Sequence, residues 1–139
     1  MKWIHNQQER PNDDAYLQFV SDEELTDIRR FHASFPQYKQ TPLVSLQALS
    51  ERLGVKSIHI KDESQRFGLN AFKVLGASYA IGRYMAQQLD LPMREVTFDA
   101  LRDPKVRQQL GDVTFASTTD GNHGRGVAWM AHELGYRSV

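Results

Sequence analysis

The sequence contains no cysteine, and this absence excludes several kinds of chemistry. Without thiols the chain has no disulfide bonds, no thiolate nucleophile and no zinc site built on sulfur ligands. A net charge is also absent, since 17 Lys and Arg residues balance 17 Asp and Glu residues. No basic field is therefore available to attract a phosphate backbone, which argues against a nucleic-acid partner.

Long apolar runs are absent as well. No stretch of about 18 consecutive apolar residues occurs, which argues against a membrane span. The first residues, from Met1 to Gln7, lack the apolar run of a secretory signal peptide. We therefore expect a cytoplasmic protein that has no membrane partner.

The composition that is present is typical of a folded globular domain. Hydrophobic residues make up 40% and charged residues 24% of the 139 positions. A chain of this length corresponds to one domain and buries roughly two-thirds of the surface that it exposes when unfolded. We expect a folded chain with a core of its own.

Local signals predict an alternation of strands and helices. Ser21 and Glu24 form a capping box that starts a helix, Pro36 blocks that helix, and Gly54 closes the next one. The predicted helices are residues 21–35, 45–53, 71–89 and 122–134, with a short helix starting at Asp103-Pro104; the predicted strands are 57–61, 113–117 and 136–139, and 41–44 is extended.

This order predicts an α/β fold with a mainly parallel sheet flanked by helices and with ligands at the carboxyl ends of the strands. We divide the chain into an N-terminal arm and helix, residues 1–35, and an α/β domain, residues 36–139. The arm, residues 1–20, is predicted to lie on the surface with a turn at Pro11–Asp14. The last strand has no crossover or partner after it, so the fold is expected to be incomplete at the C-terminus and to be the amino-terminal part of a longer protein.

Lys73 is the first candidate for chemistry. It lies at the start of a predicted helix, where the helix dipole does not favour a cation, and its neighbours Phe72, Val74 and Leu75 are apolar. Both features lower the cost of deprotonating an amine, which suits a lysine that attacks a carbonyl group. The alternative is an ordinary surface lysine in the first turn.

The second candidate is the turn Thr119-Asp120-Gly121-Asn122-His123, which follows a strand and enters a helix. Its backbone N–H groups converge and are able to bind an anion such as a carboxylate or a phosphate. The alternative is a plain turn in which Asp120 or Asn122 caps the helix. Gly124 and Gly126 are expected to let the helix pack closely on the sheet.

Other site types fit the sequence poorly. The glycines of residues 121–126 are in the reverse order of a dinucleotide fingerprint, and residues 68–73 lack the second glycine of a phosphate loop. None of the histidines pairs with another at helical spacing, which argues against a metal site. The histidines are His5, His32, His59, His123 and His132. Asp62 and Glu63 are interpreted as solvated surface groups rather than an acid–base pair.

Four motifs, taken in order, resemble one known family. They are Thr41-Pro42-Leu43, Lys61-Asp62-Glu63, Asn70-Ala71-Phe72-Lys73-Val74-Leu75-Gly76-Ala77 and Asp120-Gly121-Asn122-His123-Gly124. The series is similar to the amino-terminal part of the tryptophan-synthase-like, fold-type II pyridoxal phosphate enzymes, over most of residues 36–139. Residues 118–126 most resemble the diaminopropionate ammonia-lyases, because serine and threonine dehydratases usually carry a small residue in place of Asp120.

The resemblance implies a role for each site residue. Lys73 would hold pyridoxal 5'-phosphate covalently and act as a catalytic base, and Asn122 would contact the 3-hydroxyl group of the cofactor. Asp120 would be a second catalytic base, so that both enantiomers of the substrate are deprotonated. The substrate carboxylate would be bound by Thr119, Asp120, Gly121 and His123.

The implied reaction is the α,β-elimination of the amino acid 2,3-diaminopropionate to pyruvate and ammonia, in an enzyme that is usually a homodimer. The family's glycine-rich phosphate loop and the residue that faces the pyridine nitrogen would lie beyond Val139, so this chain is not expected to be active alone. Two alternatives stay open. One is a serine or threonine dehydratase of the same superfamily, and the other is a non-catalytic truncated remnant.

Overall fold

The computed structural model describes residues 21–139. The predicted surface arm at residues 1–20 and its turn at Pro11–Asp14 lie outside the described residues. The division of the chain at residue 35 stays a prediction.

Residues 21–139 contain six helices and four short strands. The helices are α1 Asp22–Ala33, α2 Gln47–Leu53, α3 Lys73–Gln88, α4 Phe98–Leu101, α5 Pro104–Leu110 and α6 Asn122–Glu133. The strands are β1 Leu43–Ser45, β2 His59–Lys61, β3 Thr114–Phe115 and β4 Arg137–Ser138. Short 3₁₀ segments lie at Glu63–Gly68 and Met93–Glu95.

The caps of these helices follow the sequence signals. Ser21 Oγ accepts a hydrogen bond of 3.1 Å from the N–H of Glu24, as the capping box predicts. Gly54 closes α2 with a left-handed φ of 65°, a backbone conformation that glycine adopts without steric cost. Asp103 caps α5 through a 2.8 Å bond from the N–H of Lys105. Helix α1 ends earlier than predicted, at Ala33, because the N–H of Ser34 closes its last turn.

The predicted mainly parallel sheet is not confirmed. Strands β3 and β4 pair in parallel, with Thr114 opposite Arg137, as a β-α-β unit requires. Strands β1 and β2 instead pair antiparallel, with Val44 opposite Ile60, and form a separate two-stranded sheet. An alternating pattern of apolar residues identifies a strand but not its partner, so the sequence left the direction of this pair undetermined.

The core lies between α1, α3 and α6 and fixes the start of α3. Val74, the residue after Lys73, is only 1% exposed. Helix α1 packs so closely on α3 that a Cβ atom added to Gly82 would lie 2.7 Å from the Phe31 ring. The largest fully buried side chains are Phe31, Phe98, Met85, Met130, Val74 and Val96. Because Val74 is part of this core, the first turn of α3 has little freedom to move.

Residues 21–139 contain neither a membrane-spanning helix nor a cluster of metal ligands. No helix between residues 21 and 139 has both the length and the apolar character needed to cross a membrane. Within the same residues, no three His, Asp or Glu side chains are grouped so that they could hold a metal ion.

Candidate active site

Lys73 lies at the N-terminus of α3, as predicted, although the helix begins at Lys73 rather than at residue 71, and Lys73 is exposed. Its Nζ lies 4.7 Å from the centre of the Phe72 ring, within cation–π range. Phe72 is itself 53% exposed, so this neighbour does not enclose the amine in apolar surroundings. The amine is therefore accessible to a carbonyl compound from solvent, while its neighbour Val74 anchors the backbone in the core.

The turn after β3 leaves the N-terminus of α6 uncapped. The N-cap residue is Gly121, and among residues 21–139 no side chain caps the first turn of the helix. The alternative in which Asp120 or Asn122 caps the helix is therefore wrong. Thr119 Oγ1 instead accepts a 3.3 Å hydrogen bond from the N–H of Gly121, which folds the turn on itself. The free N–H groups and the helix dipole make this end of α6 suited to an anion.

Gly124 and Gly126 bring these two regions together. A Cβ atom on Gly124 would lie 1.8 Å from the carbonyl oxygen of Thr119, so the turn folds directly onto the first turn of α6. A Cβ atom on Gly126 would lie 2.9 Å from Cα of Val74, so α6 packs against the first turn of α3. The close contacts are thus with the turn and with α3, and not with the sheet as the sequence predicted.

A cavity of about 520 Å³ adjoins the turn at the carboxyl ends of β3 and β4. Thr119 and Asp120 contribute to its lining together with Arg125 and Ser138.

The predicted site residues Lys73, Asn122 and His123 do not line this cavity. Asn122 and His123 are exposed at the start of α6, so five of the predicted site residues lie around this helix end. Lys73 is not in direct contact with them, but the next residue, Val74, packs against Gly126 of α6.

An ion pair in the segment that leads to Lys73 was not predicted from the sequence. Arg66 is only 6% exposed, and its Nε donates a 2.7 Å hydrogen bond to Glu63 Oε2. Thr41 Oγ1 donates to the second carboxylate oxygen of Glu63 and accepts a 3.2 Å bond from Arg66. This pairing holds the pKa of Glu63 at about 2, with the Arg66 hydrogen bond as the main cause. Glu63 is thus a partly buried ion-pair partner rather than a solvated surface group; the only sequence signal was the three-residue spacing of opposite charges.

Acid is expected to weaken the fold through Glu63. Its ordinary pKa of 4.5 falls to about 2 in the folded chain, so the ionised carboxylate stabilises the fold above pH 4.5. This contribution is lost as the pH falls from 4.5 towards 2, and we expect it to amount to about 1–2 kcal/mol after solvent screening. Urea unfolding at several pH values measures it. Glu63→Gln should be less stable than the unmodified protein at neutral pH and should lack this dependence on pH. Glu51→Gln, on the exposed α2, should retain the dependence. The assignment would be contradicted if the unfolding free energy of Glu63→Gln fell with acid as steeply as that of the unmodified protein.

Comparison with known proteins identifies the family. A model of the family described as "Pyridoxal-phosphate dependent enzyme" matches residues 35–139. The diaminopropionate ammonia-lyase of Salmonella typhimurium is 52% identical over 113 residues, which are 81% of this chain and 28% of that protein. The Escherichia coli K12 enzyme of the same name is 47% identical over 112 residues, or 80% of this chain and 27% of that protein. The chain therefore spans about 28% of the length of the curated relatives that it matches.

Solved structures give the same result. The apo form of the Escherichia coli diaminopropionate ammonia-lyase superposes with a TM-score of 0.77 at 44% identity, over 88% of this chain and 32% of that one. The complex of that enzyme with D-serine gives a TM-score of 0.78 at 44% identity, over 88% of this chain and 30% of that one. The resemblance predicted from the four motifs is thus confirmed. The chain belongs to the pyridoxal-phosphate-dependent enzymes, and the relatives described above are diaminopropionate ammonia-lyases.

Proposed function

We propose that this chain supplies part of the active site of an enzyme that eliminates ammonia from 2,3-diaminopropionate and yields pyruvate and two molecules of ammonia. The observation that carries the proposal is the packing of Gly126 on Val74. Val74 directly follows Lys73 and Gly126 belongs to the same helix as Asn122, so this contact supports a shared site for the exposed amine and the uncapped N-terminus of α6. A covalent anchor and an anion-binding helix end are the two groups that such a reaction needs from this part of the protein.

The residues present fit pyridoxal phosphate on two observations. The Lys73 amine is exposed and therefore able to condense with an aldehyde. Gly124, which has no Cβ, allows the backbone of the turn to stay close to the uncapped helix end, where an anionic group is favoured. When bound, the cofactor withdraws electrons from the α-carbon of an attached amino acid.

The remaining roles are assigned to the chain's own side chains. Lys73 holds the cofactor and transfers the α-proton of one enantiomer, and Asn122 donates a hydrogen bond to the ring hydroxyl group. The N–H groups of the turn, with Thr119, Gly121 and His123, bind the substrate carboxylate. Asp120 takes the α-proton of the other enantiomer and attracts the β-ammonium group.

Three features support the finer parts of this proposal. The relatives' name specifies diaminopropionate, and the Escherichia coli enzyme has been solved with D-serine, a D-amino acid. Asp120 is a carboxylate in the lining of the cavity, where a second ammonium group would be stabilised. A hydroxy amino acid such as serine or threonine offers no such charge. The homodimer and the cytoplasmic location stay predictions.

The experiment that tests the proposal compares substrates in the complete polypeptide that carries these residues. Pyruvate or ketobutyrate and ammonia are measured with D- and L-diaminopropionate, serine and threonine. We expect diaminopropionate to have the highest kcat/KM. A preference for threonine would favour a dehydratase, and no turnover of any of the four would favour a non-catalytic remnant.

Asp120→Asn is expected to separate the two enantiomers. Loss of the general base should lower kcat for one enantiomer of diaminopropionate by about 10²–10⁴-fold and leave the other within about tenfold. A rise in KM for both enantiomers would report the lost attraction for the β-ammonium group. Asp112→Asn, an exposed carboxylate just before β3, is the control and should change neither value. An equal loss of kcat for both enantiomers would remove Asp120 as the second base.

A further inference from the structure

The backbone between Arg66 and α3 is strained. Phe67 has a φ of 49°, in the left-handed region that a bulky aromatic residue rarely adopts. Asn70, with a φ of 58°, lies in the same region, which asparagine tolerates. Gly68, between them, has a φ of 73°. Such strain persists only where surrounding contacts hold it, and it is concentrated at functional sites. The strained turn, residues 66–70, leads directly into Lys73.

The first support of the strained turn is the guanidinium group of Arg66. It donates to both carboxylate oxygens of Glu63, at 2.7 and 2.9 Å. It also donates to the carbonyl oxygen of Lys39 at 2.9 Å and to Thr41 Oγ1 at 3.2 Å. The planar guanidinium is well matched to these acceptors, because arginine has five N–H donors in a fixed fork whereas lysine has a single point charge.

The second support is the side chain of Phe67. Its ring lies 5.0 Å from the Trp129 ring on α6 and 5.5 Å from the Phe35 ring beyond the end of α1. The turn is therefore fixed on one side to the chain segment before β1 and on the other side to α6. Only Ala71 and Phe72 separate it from Lys73.

We propose that Arg66 is a positioning residue for Lys73: its hydrogen bonds hold the strained turn, and the turn fixes where the chain enters α3. This inference rests on the proposed function, since it assigns Arg66 to the placement of the amine that captures the cofactor. Arg66 acts through the backbone. Its own donors are occupied by Glu63, Lys39 and Thr41, so it does not need to contact the cofactor.

The experiment measures how fast Lys73 captures pyridoxal phosphate in the complete polypeptide. Samples are reduced with borohydride at timed intervals, which converts the carbon–nitrogen double bond to a stable single bond, and the adduct on the Lys73 peptide is quantified by mass spectrometry. The rate is followed against cofactor concentration. For Arg66→Met we expect the limiting rate to fall at least about tenfold and the half-saturating concentration to stay within about threefold, since placement is lost but the other binding groups remain.

Two control variants separate positioning from general stability. Met85→Ala removes a fully buried side chain of α3 and should lower the midpoint of thermal unfolding without touching the strained turn. Arg83→Met removes an exposed ion pair between α3 and Glu24. Both should capture the cofactor at a rate within about twofold of the unmodified protein, at a temperature where all variants are folded. Equal slowing in Met85→Ala, or a normal rate in Arg66→Met, would overturn the proposal.

A second readout is independent of the cofactor. Amide hydrogen exchange in residues 67–76 should become at least about tenfold faster in Arg66→Met, whereas exchange in α6 beyond Met130 should not change. If the unmodified protein forms no adduct on Lys73, the proposed function fails, and the exchange result still decides whether Arg66 holds the turn. Unchanged exchange in Arg66→Met would overturn the positioning role by itself.

Discussion

Lys73→Ala is expected to abolish both the reduced cofactor adduct and the elimination reaction. The amine is the nucleophile that the cofactor requires, and we expect activity to fall by about 10³-fold or more. Folding should be almost unaffected, because the Lys73 side chain is exposed and its charge has no ion-pair partner among the described residues. A change in unfolding free energy within about 0.5 kcal/mol is typical of such a surface substitution.

Borohydride reduction followed by peptide mapping measures this effect directly. Lys56→Ala, an exposed lysine after α2, is the matched control and should keep both the adduct and the activity. Lys73→Arg adds a second test, since it keeps the positive charge but lacks a nucleophilic amine, and it should be as inactive as Lys73→Ala. An adduct of full stoichiometry in Lys73→Ala would show that another lysine is the anchor and would overturn the assignment of this site.

The helix boundaries were predictable because their causes are local. Ser21, Gly54 and Asp103 each stabilise a helix end through the atoms of a few adjacent residues, and all three act as their residue types indicate. The change of pattern also gives the start of α6 at Asn122 and places that of α3 at residue 71, close to its start at Lys73. Local sequence signals are therefore enough to place Lys73 and Asn122 at the N-termini of their helices.

Features that depend on residues distant in the chain were not predictable in this way. The antiparallel pairing of Val44 with Ile60 and the ion pair of Arg66 with Glu63, closed by Thr41, require the folded chain. Phe67 has a left-handed backbone conformation that phenylalanine does not prefer, and aromatic rings from other elements hold it in place. The polar composition of residues 62–70 is typical of a loop, although the segment contains a partly buried ion pair and the strained entry to α3.

The second large effect is expected for Gly124→Ala, because this substitution displaces the turn at the start of α6. The added Cβ atom would lie 1.8 Å from the Thr119 carbonyl oxygen and 2.9 Å from its carbon, and both are backbone atoms. The turn must therefore move, because no flexible side chain can yield. A displacement of about 1 Å at a site of this kind costs about 10²-fold in activity. We expect kcat/KM for diaminopropionate to fall by this amount while Lys73 still captures the cofactor within about threefold of the normal rate.

Gly82→Ala is the matched control for this substitution. It is the same change inside a helix, and its Cβ atom would lie 2.7 Å from the Phe31 ring, on the side of α3 that faces α1. Overpacking of about 1–3 kcal/mol is expected in both variants, partly offset by about 1 kcal/mol from the better helix propensity of alanine. Both proteins should lose stability in urea unfolding, Gly124→Ala the more because its clash is with backbone atoms, but only Gly124→Ala should lose activity under conditions where both are folded. Equal losses of kcat/KM would mean that stability alone governs the reaction, and a normal kcat/KM in Gly124→Ala would remove the turn at Thr119 from substrate binding.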